Sequence, residues 1–187
     1  MDKLGVIKEL SIEPCDFNYS AVLDYVDNTK ISRVKTKYSK GDAWTALSLR
    51  GYGEDPLDIL KPNVLGSKVK TEVKLQDTHL LGNPSFRAVR DIMTRIPSTF
   101  ERVRLMKIKA KSGIGKHSDK IDKDFGFNDG NIVRIHVPIR TNEDVVFYLW
   151  EGREKTFNHL KTGHFYYVDV RAPHSVINNS NVNRVIF

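Results

Sequence analysis

The sequence has a single cysteine, Cys15, in 187 residues, so no internal disulfide can form and a disulfide scaffold is excluded. It also lacks any apolar run of the roughly 18 residues that a membrane-spanning helix requires. The segment from Met1 to Glu9 carries charge inside and around its only short apolar run, which is not the pattern of a signal peptide. Internal repeats, low-complexity tracts and Pro- or Ser-rich linkers are missing as well. These absences lead us to expect one structural domain in a reducing, cytoplasmic setting, with no membrane association.

What is present is ordinary for a globular chain able to bury a core, with 40% hydrophobic and 28% charged residues. Thirty Lys and Arg against 23 Asp and Glu give a net charge of +7. A basic balance is compatible with nucleic acid, an anionic surface or an acidic small substrate. The densest basic stretch runs from Lys107 to Lys123 and is interleaved with Asp119 and Asp122. It has no RNP-like aromatic motif, zinc-finger spacing or basic heptads, so a solvated charged face is expected and nucleic acid is not.

The chain divides into unlike halves. Residues 1–100 read as helices and supporting strands packed on a core formed by residues 101–187. In the first half, Phe17 to Val26 and Ser85 to Ile96 have helical apolar spacing, the latter between Pro84 and Pro97. Asp55 to Leu60 reads as a short capped helix, and Ala43 to Arg50 as a strand. The second half is strand after strand: Glu101–Ala110, Asn131–Arg140, Asp144–Trp150, Phe165–Val170, His174–Asn178 and Asn183–Phe187. Turn residues separate them, including Ser112-Gly113-Ile114-Gly115 and Asn128-Asp129-Gly130. Short strands at this spacing argue for a sandwich or jelly roll.

Alternation then sorts the side chains. Within Asn131–Arg140, Val133, Ile135, Val137 and Ile139 share one face, leaving Arg134 and His136 on the other. On the last two strands His174, Val176 and Asn178 fall together, and Arg184 pairs with Ile186. An arginine among apolar neighbours needs a partner if it is buried, and a carboxylate ligand would supply one through a bidentate fork. His117 and Asp119 stand two residues apart just beyond the Glu101–Ala110 strand. With one distal histidine they make a 2-His-1-carboxylate set, which leaves positions on Fe(II) open for a cosubstrate and O₂. Each piece has a plainer reading: a loop histidine beside a surface acid, a strand-edge His174, an Arg184 paired with Asp169, an Asn178 that merely starts a turn. The combination, with Arg184 following His174 by ten residues on the next strand, is what carries the signal.

These motifs have a family likeness. His117-Ser118-Asp119, Arg134-Ile135-His136-Val137-Pro138, His174-Ser175-Val176-Ile177-Asn178 and Arg184-Val185-Ile186-Phe187 resemble the Fe(II)/2-oxoglutarate-dependent oxygenases, in particular their aspartyl/asparaginyl β-hydroxylase-like branch. The resemblance covers residues 102–187. It implies a mainly β fold with flanking helices, a double-stranded β-helix of the jelly-roll or cupin type. It implies Fe(II) held by His117, Asp119 and His174. It further implies 2-oxoglutarate bound through Arg184, His136 and Asn178, with Arg134 on the cosubstrate or on an anionic group of the substrate. The implied reaction is O₂-dependent hydroxylation of an amino acid, free or within a peptide, with release of succinate and CO₂. Some members of the branch lack the carboxylate ligand that Asp119 supplies here. The charged segment Lys120–Gly130 is expected to form a lid or a substrate-selecting element. The competing expectation is a non-catalytic cupin-like module that binds a metal or a small carboxylate.

Overall fold

The computed structural model describes residues 7–29, 31–33, 37–59, 75–119 and 132–187. The Lys120–Gly130 segment, the Asn128-Asp129-Gly130 turn, Lys120, Lys123 and Leu60 lie outside the described residues. Among the described residues thirteen strands are defined: β1 (Ile7–Glu9), β2 (Ser32–Arg33), β3 (Trp44–Gly51), β4 (Gln76–Asp77), β5 (Val103–Ile108), β6 (Ser112–His117), β7 (Ile135–His136), β8 (Pro138–Arg140), β9 (Val145–Glu151), β10 (Glu154–Asn158), β11 (Tyr166–Val168), β12 (His174–Asn178) and β13 (Arg184–Ile186). Two α-helices, α1 (Ser20–Asn28) and α2 (Arg87–Arg95), accompany them.

The strands form a six-stranded sheet in the order β2-β3-β5-β13-β8, with β4 also on β3, and a four-stranded sheet in the order β10-β9-β12-β6. A third sheet, β1-β11-β7, runs beside them. Every recorded pairing is antiparallel, and the arrangement is the jelly roll expected from the sequence. The β7–β8 stretch was expected as one strand. It breaks at Val137, where the chain passes from the small sheet to the large one while Val137 and Phe187 exchange backbone hydrogen bonds of 2.9 Å.

Both faces of the large sheet are buried, each for a different purpose. Leu47, Leu49, Val103, Leu105, Val185 and Phe187 point outward into a core closed by Val22 and Val26 of α1 and by Ala88, Val89 and Ile92 of α2. The i, i+4 spacing of Val22 and Val26, and the Ala88, Val89 and Ile92 stripe, lay these short helices flat on the sheet. Asn83 opens the approach to α2: its Oδ1 accepts from the Ser85 amide at 2.9 Å, with Pro84 in the first turn. The inner face belongs to a second core of Ile108, Ile114, Val145, Phe147, Leu149, Val170 and Val176, and it frames the cavity described below.

Two joints between the N-terminal part and the sheets lead to predictions. Gly163 has φ +78°, its amide donates to Pro138 O at 2.8 Å, and its carbonyl accepts from the Cys15 amide at 2.9 Å. A Cβ there would sit 2.3 Å from Cys15 O. Gly163→Ala therefore combines left-handed strain with a backbone clash and should cost roughly 2–4 kcal/mol. The check is a lower urea midpoint at unchanged m-value.

The second joint is Asp27, at the end of α1. Arg140 donates to both of its carboxylate oxygens, at 2.6 and 3.0 Å, and Asn183 adds a third bond at 3.2 Å. The Arg140 hydrogen bonds outweigh burial and hold the Asp27 carboxyl below its ordinary 3.8. A depressed carboxylate contributes stability that is present above the unfolded value and lost as pH falls through the folded one. Asp27→Asn should thus cost roughly 1 kcal/mol at pH 7. The gap from wild type should close only in acid below the ordinary 3.8, as followed by denaturant midpoints across pH.

Candidate active site

The metal-ligand candidates are brought together by strand register. β12 pairs with β6 so that His174 lies opposite His117, and the two ring centroids are 4.3 Å apart. The register slips between His174 and Val176, a bulge that re-aims the strand end. It lies where Gly113 comes so close to β12 that a Cβ would meet Val176 O at 2.5 Å. Asp119 follows β6 by two residues, and its amide donates to Val170 O at 3.0 Å. One ligand atom from each of His117, Asp119 and His174 lies within 4.8 Å of the others, the one such group among the described residues.

Both imidazoles are oriented by their own strands. His117 Nδ1 is 2.7 Å from Gly115 O, and His174 Nδ1 is 2.9 Å from Ala172 O. A carbonyl can only accept, so each Nδ1 donates to it and each Nε2 is the ring nitrogen left for the cluster. His117 Nε2 stands 3.6 Å from Asp119 Oδ1, and Arg134 donates to Asp119 Oδ2. Burial alone would raise the Asp119 pKa, but the Arg134 guanidinium and the histidines outweigh it and hold the carboxyl below its ordinary value. Burial pushes His174 down, which keeps the ring neutral and available. Phe147 stacks on His174 at 5.6 Å and Tyr38 on His117 at 5.0 Å, fixing both rings from outside.

A cavity of about 230 Å³ opens beside this cluster, walled by Trp44, Ile108, Ile114, Phe147, Val176 and Ile186. Arg184 reaches it from β13 with 4% exposure, and it makes no hydrogen bond or ion pair with any described residue. Pairing with Asp169, the plainer reading, does not occur: Arg171 holds Asp169 at 2.7 Å through both carboxylate oxygens. Burial pushes Arg184 down to about 10. His136 enters from β7 with both ring nitrogens buried and unpartnered. Burial, then the cations Arg134 and Arg184, hold it well below its ordinary value, so it is a neutral imidazole. The donor set suits a divalent metal. The unmatched guanidinium beside it suits a bound carboxylate.

A family model of aspartyl/asparaginyl beta-hydroxylases matches residues 18–187. The chain belongs to that family. It is therefore a hydroxylase by family. No curated protein matches it by sequence. Its fold is similar to that of the crystal structure of an oxidoreductase of the 2OG-Fe(II) oxygenase family from Burkholderia pseudomallei, with a TM-score of 0.52 at 13% identity. That match covers 99% of this chain and 83% of the other, and at such identity the likeness speaks for the fold.

Within the hydroxylase, six of the seven residues singled out from the sequence line one cavity: His117, Asp119, Arg134, His136, His174 and Arg184. Asn178 does not. It is fully buried, its Nδ2 donates to Ile108 O, Lys109 O and Val182 O, and its Oδ1 accepts from the Ser180 amide and hydroxyl. Its side-chain polar atoms are used within the β12–β13 turn and against the end of β5, away from the cavity where a cofactor role was expected. Arg102, Arg104 and Trp44 also line the cavity and were not identified from the sequence. Period-two reading of β5 groups Arg104, Met106 and Ile108 on the face opposite Val103 and Leu105, without saying that this face is internal. The lysines of the basic stretch that are described act locally: Lys107 on Val26 O, Lys109 on Asp42, Lys111 on Asn179 O, and Lys116 over Trp150.

Proposed function

We propose that this hydroxylase is an Fe(II)- and 2-oxoglutarate-dependent dioxygenase that hydroxylates an amino acid, free or within a peptide, releasing succinate and CO₂. The observation that carries the reading is the placement of a His117–Asp119–His174 donor set and a buried, unmatched Arg184 on the walls of one cavity.

Iron with 2-oxoglutarate and O₂ supplies the oxidising power to break an unactivated C–H bond. The chain supplies the rest. His117 and His174 would present Nε2, their Nδ1 protons being committed to Gly115 and Ala172. Asp119 would present Oδ1 while Arg134 keeps Oδ2 occupied and the group ionised. Arg184 would receive the far carboxylate of 2-oxoglutarate, which removes the cost of burying its charge. His136, neutral, would hydrogen-bond the same cosubstrate. Ile108, Ile114, Phe147, Val176 and Ile186 exclude water around the reacting centre and strengthen these interactions.

Anaerobic titration of the protein with Fe(II) and then 2-oxoglutarate tests the reading without any choice of substrate. A visible charge-transfer band is expected when both are present, and succinate release on screening amino acids and peptides should follow in air. Folded, iron-loaded protein that gives no band would overturn the dioxygenase and leave a metal- or carboxylate-binding module.

A further inference from the structure

Four guanidinium groups, those of Arg102, Arg104, Arg134 and Arg184, reach the cavity, against one carboxylate, Asp119. Arg134 is matched by Asp119. Under the reading above, Arg184 is matched by 2-oxoglutarate. Among the described residues, Arg104 and Arg102 are left over. Arg104 is partly buried on β5 and makes no hydrogen bond or ion pair with any described residue. Burial, then the charges of Arg102 and Arg134, push it down to about 9. Arg102 is exposed at the outer end of the same strand face, its guanidinium 5.5 Å from the Tyr52 ring.

Their position is as informative as their charge. The metal-side cavity adjoins a second space of about 500 Å³, and Arg102, Arg104, Arg134 and Asp119 line both. The walls of this vestibule include Leu10, Ile12, Ile96, Phe100, Ile135 and Phe187. A guanidinium unmatched among the described residues thus stands where an apolar passage meets the metal cluster. A planar guanidinium binds a carboxylate in a two-point fork, and in a partly desolvated site that contact is strong and directional.

We propose that Arg104, with Arg102 beside it, selects the substrate by taking its carboxylate, so that the substrate is a small carboxylic acid whose apolar body lies in the vestibule. This deepens the dioxygenase reading and rests on it. A free carboxylate at Arg104 makes a free or chain-terminal amino acid the substrate class. The adjoining apolar walls make it one with an apolar side chain.

The test uses matched probes, N-acetyl-L-leucine and N-acetyl-L-leucinamide, which differ in charge at one position. Each is titrated calorimetrically, without O₂, into protein loaded with Fe(II) and saturating 2-oxoglutarate, so that the acid does not fill Arg184. The acid should bind at least about tenfold more tightly than the amide, the range for a hydrogen bond to a charged group. Arg104→Gln should bring the two close to parity with the charge-transfer band still present, and Arg104→Lys should keep part of the preference. N-acetylglycine, lacking the apolar body, should bind at least about tenfold more weakly than N-acetyl-L-leucine. Parity of acid and amide in the wild type, which includes binding of neither, overturns the proposal, as does a preference that survives Arg104→Gln or equal binding of N-acetylglycine. These outcomes are separable from failure of the dioxygenase reading. A normal band without acid preference sinks the Arg104 assignment alone, whereas a missing band sinks the reading beneath it.

Discussion

Replacing His174 by alanine is expected to lower Fe(II) affinity about a hundredfold and to reduce 2-oxoglutarate turnover at least as much. Structural four-ligand zinc sites bind their metal with about 10–16 kcal/mol, about 3 kcal/mol per ligand, and that scale sets the expectation of about two orders of magnitude. The change should do little else to the molecule. His174 is a neutral ring, held below its ordinary pKa by burial, so its removal strands no counter-charge. The hydrogen bond it loses ends on a backbone carbonyl next to the β12 entry, and Val176 and Asn178 still hold β12 in place. Melting of the metal-free variant should therefore lie within a few degrees of wild type, while the stabilisation that Fe(II) gives the wild type should vanish. Fe(II) titration read by the charge-transfer band and by thermal shift checks both halves. An affinity close to wild type would show that the cluster around His117 is not the metal site. His117→Ala should behave alike, because the two rings are related by register and hold their protons by the same device.

Much of this site could be read directly from the sequence, and the reasons are local. The run from His174 to Asn178 lies between two turns, so its ends were predictable, and β12 has the expected bounds. Arg184 could be placed because the residues around it are apolar. Where the reading failed, a residue had two uses. Ser112-Gly113-Ile114-Gly115 has the composition of a turn, yet it is part of β6: Gly113 is there because the backbone of β12 comes too near for a side chain. β10 was missed because it lies at the sheet edge, where Glu154 to Phe157 are all exposed and no alternation is imposed. Asp55 was expected to cap a helix. It closes a turn instead, accepting from the Leu57 amide at 2.8 Å. Arg104 went unremarked since a charged residue in an alternating strand normally faces water. Only the pairing of β5 between β3 and β13 reveals that its polar face is internal.

The same accounting of charge makes Arg184 the more searching test, because its two expected effects have opposite signs. Arg184→Met keeps an unbranched stem and removes the charged guanidinium. Losing one partner of a buried charge pair costs about 2–5 kcal/mol, so 2-oxoglutarate affinity should fall at least about thirtyfold. The free protein should become more stable by about 1–3 kcal/mol, since a guanidinium at 4% exposure with no described counter-ion is replaced by a side chain that suits its apolar neighbours. In the wild type, 2-oxoglutarate at a hundred times its dissociation constant should add about 2.7 kcal/mol to the stability of the iron-loaded protein. In the variant, binding at least about thirtyfold more weakly, the same concentration should add no more than about 0.9 kcal/mol, so the stability lead of the variant should shrink by at least about 1.8 kcal/mol as 2-oxoglutarate is added. Arg184→Lys should fall between them, retaining the charge but losing the fork. Denaturant midpoints with and without 2-oxoglutarate decide the matter. A destabilised Arg184→Met that still binds 2-oxoglutarate would make Arg184 a structural element of β13. A more stable free variant whose lead shrinks as 2-oxoglutarate is added fits only a side chain whose burial is made tolerable by its ligand.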